Sequence, residues 1–169
     1  MLHSGYELIS KIDPKGLELT NVTWLALLHA LNGKLERTEE CLEYISHAYP
    51  DIGQSYKVQL SMVRTAFRLA TALSNIEVEF SITKAIETSI IECIPASILS
   101  TPGVNYFSSA TECPDGENVL LDLQLVPDSQ DEDELVDISL KFSRSLQRQL
   151  PVDVTRVVMI GLNFHDHQK

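Results

Sequence analysis

The apolar residues of this chain recur with two different periods, and the places where one period gives way to the other limit the fold more than any other feature. A spacing of three or four residues marks one face of a helix, and strict alternation marks one face of a strand. Val22, Leu25, Leu28, Leu31 and Leu35 follow the helical spacing, with Thr20 or Asn21 as a cap and Gly33 weakening or ending the helix. A second helix is predicted from Thr38, with Glu39 and Glu40 beside the positive end of its dipole and Pro50 and Gly53 at its close. A third is predicted over residues 55–73. There Tyr56, Leu60, Val63, Phe67 and Ala70 share one face, and Lys57, Arg64 and Arg68 form a stripe beside it.

Alternation rules elsewhere. Residues 6–12 read as a strand, Asp13-Pro14-Lys15-Gly16 as a turn, and residues 17–19 as a short returning strand. Ile76, Val78, Phe80 and Ile82 alternate with Glu77, Glu79, Ser81 and Thr83, as in a sheet with one dry face. The β-branched run over 88–94 reads as another strand. Residues 104–112 and 118–126 flank a turn over 113–117 and predict a hairpin. An acidic stretch over 128–134 then feeds a last helix, whose buried stripe is Leu135, Ile138, Phe142 and Leu146. Its acidic start and its later Lys141, Arg144 and Arg148 suit the helix dipole, and Pro151 ends it. Residues 154–164 close the chain as a strand, taken as central because Val157, Val158, Met159 and Ile160 do not alternate. The expected fold is therefore α+β: an antiparallel sheet packed against several helices, in one domain, with a flexible tail about 165–169.

Charge narrows the function. Thirteen basic residues stand against 24 acidic ones, a net charge of −11. Phosphate neutralisation needs an excess of Lys and Arg, so sequence-specific nucleic-acid binding is not expected. Three cysteines, Cys41, Cys93 and Cys113, have no short pairwise spacing and read as free thiols in a reducing compartment. The N-terminus lacks a leader's apolar segment, and the longest apolar stretch, residues 24–31, is too short to span a membrane. A cytoplasmic location is expected.

Motifs for chemistry are missing. No glycine-rich phosphate loop and no G-x-S-x-G elbow occurs. Carboxylates pair only at Glu39-Glu40 and over 131–134, where capping of helix starts accounts for them. His165 and His167 alternate near the C-terminus, but a closed metal site usually needs four ligands. His29 reads as a core or boundary histidine. No catalytic residue, metal or cofactor is expected. The candidate partner-binding residues are the stripe Lys57, Arg64 and Arg68, suited to an anionic partner, and Pro95, Ile98, Leu99 and Pro102 in an apolar, proline-bounded loop.

The order of elements resembles that of rhabdovirus matrix proteins, in particular the short ones of plant-infecting members. The likeness covers most of the chain. It runs through the helix around VTWLALLHAL, the aromatic-basic SYKVQL, a strand-rich middle, NVLLDLQLVPDSQDEDEL and VVMIGLNF. It implies a non-enzymatic structural protein of the virion that self-associates and links nucleocapsid to envelope; the apolar, proline-bounded loop about Pro95–Pro102 is the docking segment expected from the residues themselves. Its implied partners are further copies of itself and the nucleocapsid protein or an anionic membrane surface. The chain departs from the animal-virus members in its acidity and in having no PPxY or PTAP motif. The alternatives are an intracellular adaptor or chaperone-like module, and a small enzyme or ligand carrier.

Overall fold

A computed structural model describes residues 2–52, 56–96, 105–112, 119–125 and 131–164. Seven helices and three strands occur among them: α1 Leu2–Ile9, α2 Leu19–Leu31, α3 Leu35–Ala48, α4 Lys57–Ser74, α5 Ile82–Cys93, β1 Asn105–Glu112, β2 Val119–Leu125, α6 Glu132–Gln149, α7 Val152–Thr155 and β3 Val158–Phe164. The chain forms two compact units, Met1–Thr83 and Lys84–Lys169.

The first unit is helical and is built around α2. That helix is apolar on nearly every side, and Val22, Leu25, Ala26, Leu27, Ala30 and Leu31 are all buried, as are Thr23 and His29. A helix apolar all round needs cover on several sides, and α3 and α4 both pack on α2. Gly33 ends α2, as its composition predicts. It sits at φ +63, its N–H donates to Ala30 O at 3.0 Å, and the N–H of Lys34 donates to His29 O at 3.0 Å. This double bond pattern at a left-handed residue satisfies the last carbonyls of the helix. The turn at 13–16 also forms: Asp13 Oδ1 accepts from the Lys15 N–H at 3.0 Å, and the Leu17 N–H donates to Pro14 O at 3.2 Å.

The second unit holds α5, a small sheet and the helices between its strands. The strand order is β1-β2-β3. β1 and β2 pair antiparallel, and β2 and β3 pair parallel, with Leu121 opposite Ile160 and Leu123 opposite Leu162. Parallel neighbours need a crossover, and α6 with α7 supplies it. Val119, Leu121 and Leu123 alternate as the dry face of β2. Of the predicted stripe of α6, Ile138, Phe142 and Leu146 are buried, whereas Leu135 is only half-buried. Phe142 is fully buried, a burial that contributes about 1.5–3 kcal/mol. Asp131 caps α6 by accepting from the N–H groups of Asp133 and Glu134.

Several expectations are overturned. The chain is mostly helical, and its small sheet includes a parallel pair, so the expected α+β fold with an antiparallel sheet packed against several helices is not found. Residues 6–12 do not form a strand, because α1 runs to Ile9 with Tyr6 as its buried anchor. The alternating run from Ile76 yields no strand either. Val78 is 51% exposed, so the alternation faces no core. From Ile82 the buried residues Ile82, Ala85, Ile86 and Ile90 fall at helical spacing and form α5. The β-branched run at 88–94 thus ends a helix, its low helix propensity outweighed by burial of Ile90 and Ile94. β3 starts at Val158 and lies at one end of the strand order, while β2 is central. The tail about 165–169 and the turn at 113–117 lie outside the described residues.

Candidate functional site

The two candidate stretches from the sequence fare differently. Lys57, Arg64 and Arg68 all lie exposed on one side of α4. Of the loop residues, Pro95 is exposed just beyond α5, whereas Ile98, Leu99 and Pro102 lie outside the described residues. The apolar face assigned to α4 needs correction. Its buried residues are Met62, Thr65, Ala66, Leu69, Ala70 and Leu73, whereas Tyr56 is 50% and Phe67 49% exposed. Small side chains at 65, 66 and 70 allow close approach to the helices packed against α4; the Tyr56 and Phe67 rings would hold them apart.

Two histidine environments can be compared. His29 is 1% exposed on the central helix, and its Nδ1 lies 3.2 Å from the Tyr6 hydroxyl. The two rings meet edge to face, centroids 5.8 Å apart. His29 Nε2 has no partner. Burial, helped by the Arg37 charge, pulls His29 down to about 4, and burial pushes the Tyr6 phenol up to about 12. Both are therefore neutral near pH 7. His3 lies at a polar cluster instead. Its Nδ1 is 3.3 Å from both Ser81 Oγ and Thr83 Oγ1, which in turn donate to Asn32 Oδ1. These groups satisfy one another and hold the chain before α5 in place.

Two grooves hold charged side chains. One, of about 660 Å³, lies between the end of α1 and α3. Several of its groups are engaged within the fold. Arg37 pairs with Glu40 and donates to the carbonyls of Ser10 and Ile12, and Tyr44 accepts from the Gly16 N–H. That groove is a clasp between loop and helix.

The other groove, of about 600 Å³, lies in the second unit and is lined by Glu92, Cys93, Lys141, Arg144, Gln147 and Arg148. Residues 141, 144 and 148 stand at i, i+3 and i+7, so helix geometry places three cations on one side of α6. Lys141 pairs with Asp137 at 2.6 Å, and Arg148 lies 3.9 Å from Glu92. Among the described residues Arg144 has no carboxylate partner. Glu92, the one acid in the lining, is held from below: the buried Ser145 hydroxyl donates to it at 2.7 Å. Gln149 Nε2 donates to Ser145 Oγ at 3.0 Å and to Ser89 Oγ at 3.2 Å, tying α6 to α5.

Cys93 sits half-buried in this groove. Burial and the Glu92 charge raise its thiol above the ordinary range, more than Ser145, Arg148 and Lys141 lower it. A thiol raised in this way is a poor nucleophile at neutral pH. Cys41 is inert for a plainer reason: it is 1% exposed, and burial pushes it up to about 11. Among the described residues, no three of His, Cys, Asp and Glu come together as a metal site would require.

The sequence reading missed this groove. In the sequence the helix dipole is sufficient to account for Lys141, Arg144 and Arg148. Their seven-residue row was the available signal; that it faces the end of α5 was not. No family model, curated protein or solved structure matches this chain.

Proposed function

We propose that this chain is a non-enzymatic binding protein that docks an acidic segment of a protein partner in the groove between the end of α5 and α6. One observation carries the reading. Three cations line a groove whose single acid is anchored by Ser145, in a chain of net charge −11. Lys141 and Arg148 are 58% and 75% exposed, so they remain available to a partner. The groove is open and its cations span two turns of helix, which suits an extended segment better than a small ligand. Charged contacts of this kind govern association rate and specificity more than raw affinity. A cytoplasmic location belongs to the same proposal, since Cys41 and Cys93 are free thiols. No helix among the described residues is long and apolar enough to cross a membrane.

The test is titration of a labelled oligoglutamate peptide, followed by fluorescence anisotropy at low and moderate salt. Binding is expected to weaken as salt rises and to fall roughly tenfold or more in Arg144→Glu/Arg148→Glu. Lys57→Glu on α4 is the control and leaves it unchanged. Equal binding by wild type and the double variant would overturn the assignment.

A second reading, assembly with further copies of the chain, is what the resemblance to rhabdovirus matrix proteins implies. It is favoured by the apolar residues of α4 that stay at the surface, Tyr56 and Phe67 with the half-buried Leu60 and Val63 between them.

A further inference from the structure

We propose that copies of this chain assemble head to tail, with the exposed row of α4 in one copy docking antiparallel on the first half of α6 in the next. The inference rests on the self-association reading above and gives it an interface.

The two surfaces match in apolar content. Tyr56, the residue just before α4, and Leu60, Val63 and Phe67 on it follow one another at four- and three-residue steps, the spacing of a two-helix seam. Tyr56 and Phe67 are half exposed. On α6, Val136 is 59% and Leu140 51% exposed, one turn apart. Neither row is part of the helix's own buried stripe, which lies at Met62, Ala66 and Leu69 on α4 and at Ile138, Phe142 and Leu146 on α6.

They also match in charge. α4 contains no Asp or Glu in its 18 residues. Lys57, Arg64 and Arg68 run along one flank of its exposed row. On α6 the same flank of Val136 and Leu140 carries Asp133 and Asp137, both exposed. At about 100° per residue, Arg64 and Arg68 lie roughly 70–110° round from the α4 row, and Asp133 and Asp137 roughly 40–80° round from the α6 row, in the same rotational sense. Two helices laid face to face bring like-handed flanks together only when they run antiparallel. The four-residue step from Arg64 to Arg68 then matches the four-residue step from Asp133 to Asp137. Arg64 meets Asp137, sharing it with Lys141, and Arg68 meets Asp133. The same alignment turns Lys57 toward Arg144, a like-charge approach that keeps the association weak.

Packing α4 antiparallel on a second α4 would set Lys57, Arg64 and Arg68 against the same residues, so an antiparallel seam between two α4 helices is disfavoured. The interface uses two different patches of the chain. Each copy therefore keeps one patch free, and growth continues until a ring closes or a filament forms.

Sedimentation velocity on the full chain over a range of concentrations tests this. The average mass of the wild type is expected to rise with concentration. Arg64→Glu/Arg68→Glu, and separately Asp133→Lys/Asp137→Lys, are expected to weaken association roughly tenfold. An equimolar mixture of the two double variants regains it, because each supplies the flank that the other has lost. Circular dichroism of each variant confirms that it is folded, and the α4 variant alters no helix cap. A wild type that stays monomeric would overturn both the interface and the self-association reading. Association that neither variant weakens, or that the mixture fails to restore, would overturn this interface while leaving self-association standing.

Discussion

The hydroxyl of Tyr6 lies 3.2 Å from Nδ1 of His29, and the other nitrogen of that ring is buried without a partner. A single bond between α1 and α2 thus holds an imidazole in a place where it cannot readily take up a proton.

The first expectation concerns pH. Burial lowers His29 to about 4 in the folded chain, against an ordinary value of 6.5. Between these values the unfolded chain binds more protons than the folded one, so stability falls as pH falls from about 6.5 toward 4. Between pH 7 and pH 4.5 the loss due to this group is on the order of 2 kcal/mol, less than the full shift implies because that window ends above the folded value of about 4. Urea unfolding at pH 7 and pH 4.5 measures it. His29→Phe should lose less stability across that window than the wild type does. An identical loss in both would remove His29 as the source.

Gly33 should tolerate no side chain. Its φ is +63, and a Cβ there would lie 3.1 Å from Phe80 Cζ. Gly33→Ala is expected to cost about 1–2 kcal/mol from the left-handed backbone alone, with the ring contact adding to it. Adding Phe80→Leu to Gly33→Ala should relieve only the contact. The comparison is made by denaturant midpoint, with the Phe80→Leu single variant as reference.

Loss of the Asp131 cap should loosen the start of α6. Its carboxylate accepts from two backbone N–H groups that otherwise have no helical partner. Asp131→Ala should lower stability by about 1 kcal/mol and Asp131→Asn by less. Hydrogen exchange at Asp133 and Glu134 should speed up in the alanine variant. Unchanged exchange there would show that the cap does not hold the helix end.

Thiol labelling should separate two cysteines. Cys93 is half-buried beside a groove, whereas Cys41 is 1% exposed with its thiol pushed up to about 11. In the native chain Cys93 should react with an aromatic disulfide reagent well before Cys41, which should wait for unfolding. The Cys93→Ser variant identifies the fast phase. Persistence of that phase in the variant would reassign it.

Where the sequence misled, the misleading signal was local and the deciding contact was distant. Residues 76–82 alternate as well as any strand, but Phe80 lies against Gly33 and Ser81 bonds to Asn32, both far back in the chain. Those contacts shape a loop, and the apolar period of Ile82, Ile86 and Ile90 then takes over as α5. On α4 the choice of face went the same way. Tyr56 and Phe67 have the larger apolar surface, yet the face with Met62, Ala66 and Leu69 is buried, because the small side chains at 65 and 66 let the helices approach closely.

The candidate site was legible only by halves. The spacing of Lys141, Arg144 and Arg148 is open to anyone counting helix turns, and so is the acidic start of α6. Cys93 and Glu92 lie about fifty residues earlier, on a segment whose β-branched run reads as a strand, so nothing local places them beside those cations.

The sequence by itself determined the helices α2, α3, α4 and α6, the antiparallel pairing of β1 with β2, the turn at 13–16 and the left-handed end of α2 at Gly33. These follow from periodicity and backbone preference, which act within a few residues. Tertiary structure alone decided which face of α4 is covered, that residues 82–93 are helical, that β3 lies parallel to β2, and that Cys93 shares a groove with three cations. Each of those outcomes depends on which distant surface fits, and a surface exists only once the chain has folded.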